Sequence, residues 1–434
     1  MHLLYRLLAV VVVLALAVAG FYLWARQREI PPAVAPSAQD FDRALIEHGA
    51  QLAALGNCRE CHTTPGGPAY AGGRPLPTPF GTIYSTNITP DPDTGIGSWS
   101  EAAFERAMLK GVSRRGDYLY PAFPYTHFAK LADGDLSSLY AYFMTRTPVR
   151  STPPPNKLAF PFNIRWLMAG WNLLFLDDRP FQPDPDRSDL WNRGAFLVTG
   201  VAHCGMCHTP RDLFGAETAT QAFSGGEAEG WTAPALNAES ETPVPWDTQH
   251  LFDYLHQGWD IQHGAAAGPM QSVTESLRHI KDQDIRAIAT YIASLQEPVS
   301  RARKDHAEAL LVQASRPVAR VAGSSDDLGA TIYAGACARC HAEGPAMVSP
   351  RGIELRLSTA LAGSDPTDAI LIILNGIRPP DAEAGPFMPS FRGAFNDSQL
   401  TALLSYLRMR HVGLPSWADL ETRVRQARER TEQP

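Results

Sequence analysis

At 434 residues the chain has room for about three domains of roughly 150 residues each. A composition of 44 % hydrophobic and 19 % charged residues can fill apolar cores and excludes disorder along the whole length. Against 45 Asp and Glu stand 38 Lys and Arg, a net charge of −7, so no basic face suited to nucleic acid is expected. Proline (36) and glycine (34) are frequent enough to favour short helices joined by long ordered loops.

The first element is an uninterrupted apolar run from Leu7 to Trp24, flanked by Arg6, Arg26 and Arg28. It is long enough to cross a bilayer as a helix. Residues 1–30 therefore read as a membrane anchor or a signal segment. Ala17-Val18-Ala19 has the small-x-small form of a cleavage site. Phe21 to Trp24 carry the apolar run beyond it and give it an aromatic interfacial end, which favours retention. Both alternatives export the remainder. A Pro- and Ala-rich tether, Ile30 to Gln39, follows.

All six cysteines then fall into three pairs, each followed at once by histidine: Cys58-Arg59-Glu60-Cys61-His62, Cys204-Gly205-Met206-Cys207-His208 and Cys337-Ala338-Arg339-Cys340-His341. An amphipathic helix is predicted before each pair, over Phe41–Leu55, Leu190–Leu197 and Leu328–Ala334. A closing helix is predicted well after each, and the three align without gaps on Asp133, Leu136, Leu139 and Tyr142, on Asp282, Ile285, Ile288 and Tyr291, and on Asp397, Leu400, Leu403 and Tyr406. The leading aspartates suit N-caps, and the apolar spacing puts one face on a core. The period predicts a mostly α chain of three tandem modules, at 38–150, 185–300 and 325–412, followed by a charged, exposed tail at 413–434. The joints are Pro-rich between the first two modules and charged from Glu297 to Ser325.

Two thiols on one helical turn can each add to a vinyl group of the same porphyrin, and the adjacent histidine then lies under the iron. C-x-x-C-H is the attachment signature of c-type haem, and its threefold use of every cysteine points to three covalent haems rather than disulfides, redox pairs or zinc sites. Cys58, Cys61, Cys204, Cys207, Cys337 and Cys340 are the expected attachment points, and His62, His208 and His341 the expected proximal ligands. Haem attachment also places the C-terminal side of the anchor in the periplasm.

The sixth iron ligand decides between electron transfer and an open site. Met270 in Gly268-Pro269-Met270 and Met388 in Met388-Pro389-Ser390-Phe391 are the candidates in the second and third modules, with Met347 a rival in the third. The first module breaks the pattern, because the corresponding stretch, Leu119 to Tyr125, carries Phe123. His127 is the leading replacement; Met144, Met108 and an open position remain alternatives.

Three segments carry a resemblance to a known family: Thr78 to Asp91 with Thr94 to Gly97, Leu119 to Tyr125, and Trp191 to Leu197 leading into His203 to Arg211. In these the chain resembles the three-haem cytochrome c subunits of membrane-bound periplasmic dehydrogenases, such as those oxidising alcohols and aldehydes. The resemblance implies an electron-transfer subunit without substrate chemistry of its own. It would take electrons from a catalytic subunit of molybdenum or quinoprotein type, with or without a small iron–sulfur subunit, and pass them to ubiquinone or another respiratory acceptor at the periplasmic face of a bacterial inner membrane. The alcohol branch reads methionine where this chain has Phe123; the phenylalanine is similar to subunits that accompany molybdenum hydroxylases acting on aldehydes or N-heterocycles. A competing reading is a peroxidase-type haem enzyme that uses an open first site.

Other features divide between packing and function. Ile164 to Leu176 is apolar on more than one face, fitting either a core helix or a surface for membrane or partner. His48, His250, His256, His263, His279, His306 and His411 read as surface or packing residues, and Asn87-Ile88-Thr89 matches a glycosylation acceptor by pattern only.

Overall fold

The computed structural model describes residues 2–314, 327–341, 354–379 and 385–432. Met347 lies outside the described residues, as does part of the charged joint after Ala314. The chain divides into two compact units, Met1–Pro183 with Thr199–His203, and Asp184–Val198 with Cys204–Pro434. The first unit holds one C-x-x-C-H motif and the second holds two.

The first unit begins with the helix His2–Ala25, whose apolar side chains are exposed as far as Gly20. Its last turn is seated differently. Ala25 is buried with Val112, Tyr118 and Ala169, and Phe21 and Tyr22 lie 5.6 and 5.9 Å from the Trp166 ring. Main-chain bonds then tie Ile30 to Arg114 and Ala33 to Ser98, so the tether is laid onto the unit rather than free of it. Behind it the opening helix Arg43–Leu55 crosses the closing helix Asp133–Met144, with Leu52, Leu136 and Leu139 fully buried between them. A three-stranded antiparallel sheet of Pro75–Thr78, Gly81–Tyr84 and Lys157–Leu158 carries the loop that follows the motif. The apolar stretch after it forms a short 3-10 turn and the helix Met168–Phe175, which buries Ala169 and Trp171 but exposes Leu173 and Leu174. It is thus part core and part surface.

Within the second unit the opening helix Asp189–Thr199 crosses the closing helix Asp282–Leu295, and Leu328–Ile332 crosses Asp397–Leu407. Leu197, Ile285, Ile288, Leu400, Leu403 and Leu404 fill the two crossings. The closing helices differ from expectation at their starts. Ala132, Lys281 and Asn396 are the N-caps, and the aspartates sit one position inside, where their charge meets the positive end of the helix dipole. Asn396 forms a capping box with Gln399.

The charged tail at 413–434 is corrected by the structure. Trp417, Leu420, Val424 and Ala427 are buried in the same core as Ile370, Leu374 and Leu404, and the helix Leu420–Glu432 is an integral wall of the third module. Its arginines lie along the flanks, where Arg428 donates to Asp397 and to the carbonyls of Arg392 and Phe395. The charged joint likewise contains a helix, Arg301–Ala314, with Ala307 packed against Val244 and Leu357.

Candidate haem sites

The first two motifs share a left-handed entry and two main-chain hydrogen bonds at the histidine. The residue before the first cysteine is left-handed, Asn57 at φ 45° and His203 at φ 39°, which turns the chain sharply into the motif. The histidine N–H then donates to the carbonyl of the first cysteine, 3.1 Å for His62 to Cys58 and 3.0 Å for His208 to Cys204. The histidine carbonyl in turn accepts from a glycine, Gly72 at 2.8 Å and Gly225 at 2.9 Å. One turn of helix therefore carries two thiols and an imidazole in each case.

The imidazoles are oriented alike. Nδ1 of His62 lies 2.6 Å from the carbonyl oxygen of Thr86, and Nδ1 of His208 lies 2.7 Å from that of Pro234. A carbonyl only accepts, so Nδ1 carries the proton and Nε2 the lone pair, the tautomer of a histidine that could hold a metal through Nε2. Burial lowers the pKa of both rings, outweighing the carbonyls, and keeps them neutral near pH 7. These residues fit a covalently held haem, which would be attached at the paired cysteines and ligated by the histidine.

The thiols do not resemble those of a redox pair. All six cysteines are free of disulfides. Burial, with the second cysteine adding to it, pushes Cys58 and Cys204 up to about 12 and Cys337 up to about 11. Catalytic and redox-active cysteines have lowered pKa values instead.

At the third motif the helix Leu328–Ile332 runs through a π-turn, Tyr333–Cys337, straight into Ala338–His341, with no left-handed residue at its entry. Tyr333 donates through its hydroxyl to the His341 carbonyl at 3.2 Å. The stretch that follows His341 falls outside the described residues.

Met270 lies in the first turn of the helix Pro269–Leu277, after Gly268 at φ 56°. Met388 exchanges both main-chain hydrogen bonds with Ile377, at 2.9 and 2.8 Å, and packs against the third module's core. In the first module the Phe123 ring lies tilted against Tyr125 and Phe128, at 6.4 and 5.4 Å. His127 is buried, its Nδ1 is 2.8 Å from the Thr199 carbonyl, and its ring is edge-on to His203 at 6.4 Å. Met108 and Met144 are both core residues.

Reading the sequence does not single out Thr86 or Pro234, since any residue has a carbonyl. Nor does it find the role of Asn87, whose amide donates to Thr94 and the Val149 carbonyl while its oxygen accepts from Thr89, fixing the loop that begins at Thr86. A third cluster, His250, Asp260 and His263, could be taken for a metal centre. His263 is buried and stacked on Trp246 at 3.5 Å, with Nδ1 2.6 Å from Asp260 and Nε2 3.1 Å from the Val244 carbonyl. Both of its nitrogens face oxygen atoms of the protein, and Asp260 also meets Nδ1 of His250 at 2.8 Å, so these groups are partnered with one another in the packing.

Comparison with known proteins agrees with this chemistry. Residues 192–296 match the cytochrome c family, and residues 325–407 match the family described as cytochrome c oxidase, cbb3-type, subunit III. The chain is 45 % identical over 407 residues to a nicotinate dehydrogenase subunit of Pseudomonas putida, covering 92 % of this chain but 33 % of that protein, so it spans about a third of that relative's length. It is 38 % identical to the gluconate 2-dehydrogenase cytochrome c subunit of Pantoea cypripedii, over 84 % of this chain and 85 % of that one. It is 34 % identical to the cytochrome c subunit of the quinone alcohol dehydrogenase of Gluconobacter oxydans, over 86 % and 80 %. On this near-full-length likeness, joined to paired thiols and carbonyl-held histidines, the chain belongs to the cytochrome c subunits of dehydrogenases.

Proposed function

We propose that this chain is the three-haem electron relay of a periplasmic dehydrogenase complex, receiving electrons from a catalytic partner and delivering them to ubiquinone or another respiratory acceptor. The observation that carries the reading is the identical setting of His62 and His208, each neutral, with Nδ1 tied to a carbonyl and Nε2 left as the donor. Haem bound at such sites supplies a one-electron ferric/ferrous couple. Cys58 and Cys61, Cys204 and Cys207, and Cys337 and Cys340 would hold the three groups, with His62, His208 and His341 on one side. Met270 and Met388 would be further iron ligands in the second and third modules, and His127 in the first. Nδ1 of His127 faces the Thr199 carbonyl at 2.8 Å, the same kind of main-chain anchor that Nδ1 of His62 and of His208 has.

Retention of the N-terminal helix as an anchor is supported by its two halves. Its last turn is packed into the first unit, whereas the preceding apolar side chains, among them Leu8, Val11 and Leu16, are more than half exposed and touch no core. Exposed in water, that much apolar surface would be costly; in a bilayer it would not.

Phe123 and the 45 % identity to a nicotinate dehydrogenase subunit favour a partner that oxidises an N-heterocycle over one that oxidises an alcohol. The test is to tag the chain, isolate it from membranes with whatever catalytic subunit it retains, and add nicotinate or ethanol while recording the haem absorption bands. Reduction by nicotinate alone supports the reading in full, and reduction by ethanol alone overturns the choice of partner. No retained dehydrogenase, together with haems that stay oxidised, overturns the relay itself.

A further inference from the structure

The second unit brings together the two segments that carry Met270 and Met388. Gln271, the neighbour of Met270, donates through Nε2 to the carbonyl of Arg378 at 3.0 Å. Arg378 directly follows Ile377, which holds Met388 by two main-chain hydrogen bonds. One side chain therefore links the methionine segment of the second module to that of the third.

A second contact reinforces the first. The indole of Trp231 is pressed against Gly268, two residues before Met270, so closely that any side chain there would collide with it; the positive φ of 56° also calls for glycine. The same indole packs against the third module's core, whose buried members include Ile370 and Leu374. Next to it, the N–H of Thr232 donates to Asp368 at 2.9 Å, at the start of the helix Thr367–Asn375 that precedes Ile377. Gln271 directly, and Trp231 through Gly268, thus tie one methionine segment to the elements that carry the other, while Thr232 holds the strand of Trp231 to the third module.

From this we infer that Trp231 and Gln271 are positioning residues, which clamp Gly268–Gln271 against Arg378 and the paired Ile377 and Met388 in a single junction through which the second and third sites exchange electrons. One centre is oxidised as the other is reduced; no bond forms or breaks and no proton is required. The inference rests on the assignment of Met270 and Met388 as iron ligands. A function for Gln271 confined to folding would leave the distance between the centres unchanged once the variant had folded.

The experiment uses the full chain with its haems. Magnetic resonance of the ferric protein reads the dipolar coupling between the second and third centres, and rapid photoreduction reads electron exchange between them. In Gln271→Ala and Trp231→Leu, both should weaken severalfold while the individual potentials stay in place. Coupling and exchange that match the unaltered protein in a folded Gln271→Ala overturn the junction, and that variant decides if Trp231→Leu fails to fold. Met270→His serves as the control on the premise. If it shifts no potential, the ligand assignment falls and takes the junction with it; if it shifts one while Gln271→Ala changes nothing, the junction alone falls.

Discussion

Gly49 faces Tyr142 across the first helix crossing so closely that a Cβ built on the glycine would stand 2.8 Å from the Tyr142 Cβ. The same pairing recurs at Gly194 with Tyr291, at 2.8 Å, and at Gly329 with Tyr406, at 2.6 Å. In all three the would-be side chain also meets a backbone carbonyl of the closing helix, that of Ser138, Ala287 or Ala402. A flanking polar contact accompanies the first two crossings, a hydrogen bond of His48 with Asp135 at 2.8 Å and an ion pair of Arg193 with Asp284 at 2.8 Å. At the third, Leu328 takes the place of the basic residue.

Because a carbonyl cannot give way as a flexible side chain can, Gly194→Ala should drive the helices apart and cost about 1–3 kcal/mol. Gly134, on the closing helix of the first unit, has nothing within 4 Å of a would-be Cβ. Gly134→Ala should stabilise instead, by about 0.5–1 kcal/mol. Thermal unfolding of the two variants checks the contrast. A Gly194→Ala protein as stable as the unaltered one would mean that the crossing is not tight.

The cysteine–histidine motifs and the tyrosines of the closing helices were legible in the sequence because covalent attachment and helix periodicity impose fixed spacings. The glycines were not, since they stand at differing distances from their motifs, at Gly49 for Cys58, Gly194 for Cys204 and Gly329 for Cys337. Thr86 and Pro234 act through main-chain oxygens, 24 and 26 residues beyond their histidines. In the final helix, Arg423, Arg425, Arg428 and Arg430 conceal an apolar stripe of Leu420, Val424 and Ala427 that a helical wheel would reveal.

Thioether ligation stabilises ferrous iron, so exchanging Met270 or Met388 for histidine should lower one potential and leave the other two near their original values. A spectroelectrochemical titration of each variant checks this. Unmoved potentials in both variants would contradict both assignments.

Burial, with the Asp365 carboxylate adding to it, pushes Asp368 up to about 6 despite the opposing hydrogen bond from the Thr232 N–H. A carboxyl whose folded pKa is raised contributes stability that is fully present below its unfolded pKa, about 3.9, and lost as the pH climbs through the folded value. Asp368→Asn should therefore add on the order of 2 kcal/mol at pH 7 and almost nothing at pH 4. Urea unfolding at the two pH values measures it; an equal effect at both would show that ionisation of Asp368 is not its source.

Phe123 offers no lone pair, and His127 is the proposed donor in the first module. His127→Ala should turn a low-spin first centre high-spin and open it to carbon monoxide when reduced, and Phe123→Met should raise its potential if the thioether displaces the imidazole. Magnetic resonance of the ferric protein follows the first change. A first centre unaltered in His127→Ala would pass the role to Met144 or Met108.

The central claim is that every cysteine of the chain serves haem attachment, two to each of three groups. Mass spectrometry of the mature chain, denatured and reduced so that only covalent groups remain, measures this directly. The expected result is a chain carrying three haem additions, with replacement of Cys204 and Cys207 together by alanine removing one of them. A fully matured sample with two additions or fewer would contradict it.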